Sequence, residues 1–118
     1  MAKIVGIGAC VMDMLFNLET YPTEDTKNRA VGSKTAGGGP AATGLVAAQK
    51  LGESTAFIGA LSDDNGGVFL KKDFERFGVD TSLIEVKSGY RSFQSVLWLC
   101  ADQASRTCVF DKGDVPAL

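Results

Sequence analysis

Apolar residues recur along the chain with two different spacings, and the spacing predicts which segments are strands and which are helices. Short apolar runs predict strands at residues 3–9, 11–18 and 54–61. Apolar residues three to four positions apart predict helices at residues 40–51 and 64–77. Further strands are predicted in the second half, at residues 81–87, 93–100 and 106–111. Alternation of strands and helices favours an α/β protein with a mainly parallel sheet.

Residues that start and stop helices support both helix predictions. Pro40 stands at the first position of the first helix, where a backbone N–H would have no partner within the helix, so its absence costs nothing. Gly52 and Gly78 follow the two helices and can end them in the left-handed conformation. Asp63, Asp64 or Asn65 can cap the start of the second helix, and we expect the two aspartates to be helix caps rather than magnesium ligands.

A run of three glycines at residues 37–39 comes directly before the first helix. Glycine readily adopts a positive φ and lets the backbone come close to another molecule, and the free N–H groups of a first helical turn point back at such a loop. The first turn itself, residues 41–44, carries almost no side-chain bulk. These features predict a place where a small polar ligand lies against the helix. The alternative is a flexible turn before a helix that packs tightly on the sheet.

Composition excludes several classes of function. The chain has 118 residues, of which 45% are hydrophobic and 22% charged, and this balance is typical of one globular domain. A net charge of −2 argues against binding to nucleic acid or to an anionic membrane, and the apolar runs are too short to span a bilayer. The chain has no histidine, which excludes Ser-His-Asp triads and histidine zinc sites.

The cysteines and the first residues indicate where the protein resides. The three cysteines form no CxxC pair, so reduced thiols in a cytoplasmic protein are expected. The opening stretch, residues 1–14, is more typical of a buried strand interrupted by Asp13 than of a signal peptide. GIGACV at residues 6–11 lacks the third glycine of a dinucleotide-binding turn, which leaves a nicotinamide-dependent oxidoreductase as a distant alternative.

The order of motifs along the chain resembles that of a known family. A strand ends in an acid at Asp13, a polar segment follows, and GGGPAAT then opens a helix that ends in KLG. A strand ending in AFIG, the turn SDDNGG and a helix ending in FGVD come next. This order is similar to the N-terminal portion of PfkB-type (ribokinase-like) carbohydrate kinases over nearly the whole chain. GGGPAAT, Lys27 and SFQS at residues 92–95 are most similar to sulfofructose kinases within that family.

The resemblance implies a ribokinase-like α/β fold, in which helices flank a mainly parallel sheet and a small β lid covers the site. The lid is expected at about residues 14–36, with 88–111 as a second segment. The implied reaction transfers a phosphoryl group from ATP, with Mg²⁺, to a hydroxyl of a sugar, for example a ketose such as sulfofructose. The family's catalytic aspartate lies in a Gly-Ala-Gly-Asp loop that this sequence lacks. We therefore expect residues 1–118 to be the N-terminal part of a sugar-kinase domain, with the catalytic and nucleotide-binding residues beyond residue 118.

Seven substrate-binding residues are implied by the resemblance. Asp13 would accept hydrogen bonds from two vicinal hydroxyls, and Gly38 and Gly39 would line the sugar with backbone N–H groups. Thr43 replaces the family's sugar-binding Asn and would offer one hydroxyl, with simple helix packing as the alternative. The other three lie on the lid or on a strand that faces the site in the family: Lys27, Arg91 and Gln94.

The resemblance also implies partners, and one rival function stays open. Lys27 would neutralise a sulfonate or phosphate on the sugar, although a lysine on a flap is more often merely solvated. A homodimer through the lid is expected, because the flap of family members often pairs with a second subunit. The rival is a non-enzymatic small α/β module that binds a metabolite, which a natural stop at Leu118 would favour. The isolated 118-residue piece is expected to self-associate through an exposed sheet edge and face.

Overall fold

A computed structural model describes residues 2–117, and in this range the chain forms seven strands, two α-helices and one short 3-10 helix. The helices are α1 (Pro40–Lys50) and α2 (Asn65–Arg76), and the 3-10 helix is Ala101–Gln103. The strands are β1 (Ile4–Ile7), β2 (Val11–Leu18), β3 (Gly32–Gly38), β4 (Thr55–Ser62), β5 (Ile84–Lys87), β6 (Gln94–Cys100) and β7 (Ser105–Asp111). The predicted helices and strands are confirmed, although several begin or end a few residues away from the predicted positions.

The strands form two separate sheets. A three-stranded sheet has the order β1–β4–β5, and all of its pairs are parallel. A four-stranded sheet has the order β3–β2–β6–β7, in which β2 and β6 are parallel and both outer strands are antiparallel to their neighbours. The predicted α/β class is confirmed. Both segments predicted to form the lid, 14–36 and 88–111, supply strands to the four-stranded sheet.

The hydrophobic core lies between the two helices and one face of the parallel sheet. Phe57 of β4 is fully buried and stacks on Phe74 of α2, with their ring centroids 4.9 Å apart. Leu45 of α1 belongs to the same buried cluster and lies so close to Gly6 that a Cβ at that glycine would overlap it. Burial of these side chains is the main force that holds the helices on the sheet.

On the opposite face of the parallel sheet, the edge strand β1 exposes large apolar side chains. The side chain of Ile7 is on this face, because the neighbouring Gly6 points at α1 and successive residues of a strand alternate. Ile7 is 72% exposed, and Val5, two residues earlier on the same face, is 48% exposed.

No helix in residues 2–117 has the length and apolar character needed to cross a membrane.

The helix ends follow the predicted chemistry. Asp64 is the N-cap of α2, and its Oδ1 accepts a hydrogen bond from the backbone N–H of Gly67 at 2.9 Å. Gly52 and Gly78 follow the helices with φ values of 100° and 84°, in the left-handed region that only glycine adopts without strain. The predicted capping and stopping roles are therefore confirmed at these three positions.

Two local predictions near the glycine run are wrong. Asp13 does not end a strand: β1 stops at Ile7, and Asp13 is the third residue of β2. The glycine run is not a flexible loop either, because residues 37–38 are the last two of β3 and pair with β2. Only Gly39 of the three glycines has a positive φ, of 100°. The pairing with β2 holds the other two extended, so their small size matters more than their flexibility.

Candidate functional site

The carboxylate of Asp13 lies against the end of β3. Strand pairing places Asp13 opposite Ala36 of β3 and opposite Ser95 of β6. Gly38, two residues after Ala36, is therefore the diagonal neighbour on the same face of the sheet. A Cβ at Gly38 would overlap Asp13 Oδ2, so only glycine leaves room for the carboxylate in this position. The other oxygen, Oδ1, accepts a hydrogen bond of 2.5 Å from Ser95 Oγ.

Gly39 forms the corner between β3 and α1. Its backbone has φ 100° and ψ 140°, and a Cβ there would overlap the carbonyl oxygen of Ala9. The carbonyl of Gly39 accepts the first helical hydrogen bond, from the N–H of Thr43 at 2.9 Å. No side chain caps α1 within the described chain, and the N–H groups of Ala41 and Ala42 precede the first turn of helical hydrogen bonds. This helix end therefore offers donors to a polar ligand.

An aromatic side chain extends the same face on the other side of Ser95. Phe110 of β7 pairs with Ser95, so Asp13, Ser95 and Phe110 form a row across three neighbouring strands. Phe110 is 63% exposed, and its ring centroid is 5.7 Å from that of Phe93. The face thus combines a half-buried carboxylate with an accessible apolar ring, a combination that suits a ligand with both hydroxyl groups and an apolar C–H surface.

Asp64 joins the start of α2 to the start of β6. Its Oδ2 accepts a hydrogen bond from the backbone N–H of Ser92 at 2.8 Å, and its Oδ1 accepts one from Ser92 Oγ at 2.5 Å. Burial by itself raises the pKa of Asp64, but the hydrogen bonds from Ser92 and from the N–H of Gly67 outweigh it and hold the pKa below its ordinary value. Asp64 is therefore an ionised structural link between the helical layer and the four-stranded sheet.

Asp63 does not cap α2, contrary to the prediction, and instead binds the connection between β5 and β6. Its carboxylate accepts hydrogen bonds from Ser88 Oγ at 2.7 Å and from the N–H of Gly89 at 3.2 Å, and these bonds lower its pKa. Residues 2–117 contain no group of three or more side chains that could together hold a metal ion.

Thr43 and Gln94 lie apart from Asp13. Thr43 is exposed on α1 and lines a hollow with Gly37 and with Asp73 of α2, whereas Asp13 is not among the described residues around that hollow. Gln94 pairs with Met12, the neighbour of Asp13, so its side chain points to the opposite face of the sheet.

The two predicted cationic residues also lie outside the Asp13 face. Lys27 is exposed in the connection between β2 and β3. The guanidinium of Arg91 pairs with Asp111 at the end of β7, with Nη1 2.6 Å from Oδ2. Hydrogen bonds from the N–H of Gly113 and from Arg91 lower the pKa of Asp111. Arg91 thus fastens the end of β7 to the start of β6.

The chain matches a family of known enzymes along almost its whole length. Residues 1–117 match the model of the pfkB family of carbohydrate kinases. This chain belongs to that family. Ketohexokinase of Mus musculus is 29% identical over 114 residues, which are 97% of this chain and 38% of that protein. The 5-dehydro-2-deoxygluconokinase of Bacillus licheniformis is 37% identical over 90 residues, which are 75% of this chain and 26% of that protein.

Solved structures share the fold of this PfkB-family chain. A putative ribokinase from Agrobacterium tumefaciens superposes with a TM-score of 0.86 at 26% identity, over 93% of this chain and 36% of that one. Arabidopsis thaliana ribokinase, solved with ribose and ATP, superposes with a TM-score of 0.79 at 22% identity, over 95% of this chain and 36% of that one. The fold is therefore ribokinase-like, and the chain spans less than two fifths of the length of these relatives.

Ser95 and Phe110 are two residues of this PfkB-family chain that the sequence did not single out. Ser95 lies in SFQS, and the likeness of this stretch to sulfofructose kinases assigns no role to Ser95. The two-residue alternation of a strand predicts that Ser95 and Phe93 share a face. It does not predict that β2 is the neighbouring strand, and this pairing is what brings Ser95 to Asp13.

Proposed function

We propose that this chain forms the sugar-binding part of an ATP-dependent carbohydrate kinase, which phosphorylates a primary hydroxyl of a sugar or a sugar-like molecule. The observation that carries the proposal is the carboxylate of Asp13, which lies in the space left by Gly38 with one oxygen hydrogen-bonded to Ser95. Membership of the pfkB family supports the same reaction.

Asp13 is proposed to hold the sugar through its hydroxyl groups. An ionised carboxylate only accepts hydrogen bonds, and bonds to a charged group are stronger than bonds between neutral groups. Two vicinal hydroxyls can donate to it together. The missing side chain of Gly38 lets the Asp13 carboxylate lie against the end of β3, and the N–H groups at the start of α1 can donate to the sugar's oxygens. Phe110 would contact an apolar C–H surface of the sugar.

The four-stranded sheet, with the connection at residues 19–31, is proposed to act as the lid of the site. A lid that closes over the sugar excludes water, and this matters because hydrolysis of ATP competes with transfer to the sugar. A homodimer formed through this sheet is part of the proposal, since its outer strand β7 exposes Val109 on the face opposite to that of Phe110.

ATP, Mg²⁺ and the catalytic aspartate are proposed to belong to parts of the protein outside these 118 residues. ATP supplies the phosphoryl group that the sugar hydroxyl accepts. Asp63 and Asp64, the paired acids at the start of α2, are already engaged by Ser88 and Ser92. We therefore assign to this chain the binding and orientation of the sugar, and the exclusion of water from it.

A ketose is the proposed class of sugar, with sulfofructose as the specific candidate. Ketohexokinase, a relative of this chain, bears the name of an enzyme that acts on a ketohexose.

Lys27 in the proposed lid could neutralise a sulfonate, and the substitution Lys27→Ala tests this directly. It is expected to weaken binding of sulfosugars and phosphosugars about tenfold, because it removes a charge-assisted hydrogen bond, and to leave neutral ketoses unaffected. If Lys27→Ala weakened the binding of neutral ketoses as much as that of charged sugars, Lys27 would not be the residue that neutralises a sulfonate.

The complete protein should be assayed with MgATP against hexoses, ketoses, sulfosugars, phosphosugars and nucleosides. We expect phosphorylation of one sugar class, and a fall in kcat/KM of about 100-fold or more in Asp13→Ala, because that change removes hydrogen bonds to a charged group. Asp102→Ala, which removes an exposed acid from the 3-10 helix, is the matched control and should match the wild type.

Two outcomes would contradict the kinase proposal. If Asp13→Ala retained the full kcat/KM, the carboxylate would not bind the sugar. If the protein bound a metabolite tightly but transferred no phosphate to any compound of the panel, the non-enzymatic binding module would be favoured instead.

A further inference from the structure

We infer that Ser95 is a positioning residue for Asp13: its hydroxyl fixes the orientation of the carboxylate so that the free oxygen is directed to the glycine corner. This inference rests on the proposed function, because it assigns to Ser95 a role in sugar binding through Asp13. The observation behind it is the hydrogen bond from Ser95 Oγ to Asp13 Oδ1, which joins residues 82 positions apart in the chain.

The hydrogen bond constrains a side chain that would otherwise rotate. The terminal torsion of aspartate has broad, roughly two-fold preferences, so the backbone alone does not fix the direction of its oxygens. Ser95 is only 4% exposed and stands directly opposite Asp13 in the parallel pair of β2 and β6. With Oδ1 engaged by this buried hydroxyl, Oδ2 is the oxygen that lies against Gly38.

Ser95 is itself held in place by a second link three residues earlier. Ser92 is bonded to Asp64 through both its backbone N–H and its hydroxyl, and Asp64 is the N-cap of α2. The start of β6 is thereby tied to the helical layer. The two serines of the SFQS stretch thus have complementary tasks, since Ser92 fixes the strand on the helices and Ser95 fixes the carboxylate on the strand.

A positioning role predicts a specific kinetic signature. The sugar contacts Asp13 and not Ser95, so loss of the Ser95 hydroxyl should weaken binding of the sugar in the ground state and in the transition state alike. Such a uniform loss raises KM and leaves kcat unchanged. The effect should also require Asp13, because Ser95 acts only through that carboxylate.

A double-mutant cycle on the complete protein tests this dependence. With the best sugar of the panel and saturating MgATP, Ser95→Ala is expected to raise KM about tenfold and to leave kcat within about twofold, the range for losing one hydrogen bond to a charged group. In the Asp13→Ala background the same substitution is expected to change KM by less than about twofold. Ser105→Ala, which removes a hydroxyl from β7 of the same sheet, is the matched control and should leave both constants unchanged.

The outcomes separate this inference from the proposed function. If Asp13→Ala raises KM but Ser95→Ala does not, the positioning role is overturned and the sugar site stands. An equal loss from Ser95→Ala with and without Asp13 also overturns it, because Ser95 would then act by another route. If Asp13→Ala itself leaves KM and kcat unchanged, the proposed binding of the sugar by Asp13 fails, and the role of Ser95 fails with it.

A second variant covers the case in which Ser95→Ala does not fold. Ser95→Cys keeps nearly the same volume and replaces the hydroxyl by a weak donor. It is expected to raise KM in the same direction, again only when Asp13 is present. An unchanged KM in Ser95→Cys, with Asp13→Ala impaired, would overturn the inference equally.

Discussion

At the scale of single residues, the three consecutive glycines of the site meet three different constraints. Gly37 faces Asp73 of α2, Gly38 leaves room for the carboxylate of Asp13, and Gly39 lies against the carbonyl of Ala9 with a positive φ. Only the third requires a backbone conformation that other residues avoid. The first two glycines therefore allow Asp73 and Asp13 to approach β3 closely from its two faces, and the third forms the sharp turn into α1.

A pair of alanine substitutions separates conformational strain from lack of space. Gly39→Ala is expected to lower the free energy of unfolding by about 3 kcal/mol or more, because its φ and ψ are unfavourable for alanine and its Cβ would overlap Ala9. Gly52→Ala has the same φ of 100° but no atom within 4 Å of the added Cβ. It should cost only about 1 kcal/mol. Urea unfolding measures both, and equal losses would contradict the close approach at Gly39.

At the scale of elements, much of the structure follows from local patterns, and the site does not. Apolar spacing and capping residues place both helices, because these signals act within a few residues of one another. Asp13 and Ser95 meet only because β2 and β6 pair, and no local pattern specifies which strands become neighbours. The same limit applies to the first two strands. The sequence predicts a break between strands at 3–9 and 11–18, but no local pattern shows that the chain passes there from one sheet to the other.

The link between α2 and β6 predicts a dependence of stability on pH. The pKa of Asp64 is lowered in the folded protein, so its stabilising effect is present above the unfolded pKa of about 3.9 and is lost as the pH falls towards the folded pKa. Asp64→Asn should therefore be less stable than the wild type at pH 6, and the difference should shrink below about pH 4.

Urea unfolding at a series of pH values measures this difference. Asp102→Asn, an exposed acid outside the link, is the control and should follow the wild type at every pH. A gap between Asp64→Asn and wild type that stayed constant down to pH 2 would show that the charge of Asp64 has no part in the stabilisation.

At the scale of the whole molecule, the two sheets are joined by a few short crossings that contain glycine. The chain passes between them at residues 8–10, at Gly39 and at residues 88–93. Gly39 and Gly89 have positive φ values of 100° and 85°. The crossing at 88–93 is held by hydrogen bonds to Asp63 and Asp64, so the proposed movement of the four-stranded sheet is expected to depend on the other two crossings, where glycine allows the backbone to change direction.

Hydrogen exchange on the complete protein tests that movement. Saturating sugar is expected to slow amide exchange at residues 19–31, because closure of the lid orders this connection. Helix α2 belongs to the core and serves as the internal reference, whose exchange should not change. If amide exchange at residues 19–31 did not change with saturating sugar, the proposed closure of the lid over the sugar would be wrong.

The apolar side chains exposed on β1 are expected to affect the association state of a polypeptide of these 118 residues. It is expected to self-associate, because Val5 and Ile7 are exposed on an edge strand. Ile7→Lys should reduce the association, whereas Leu51→Lys, at an isolated position that is 88% exposed at the end of α1, should not. Sedimentation velocity over a range of concentrations distinguishes these cases. A monomer at every concentration would contradict the prediction.

A crystal structure of the complete protein with its best sugar bound tests directly whether Asp13 binds the sugar. We predict two sugar hydroxyls within about 3 Å of the Asp13 carboxylate, with the ring lying against Gly38 and Gly39. A sugar bound elsewhere, with Asp13 turned away from the glycine corner, would contradict it.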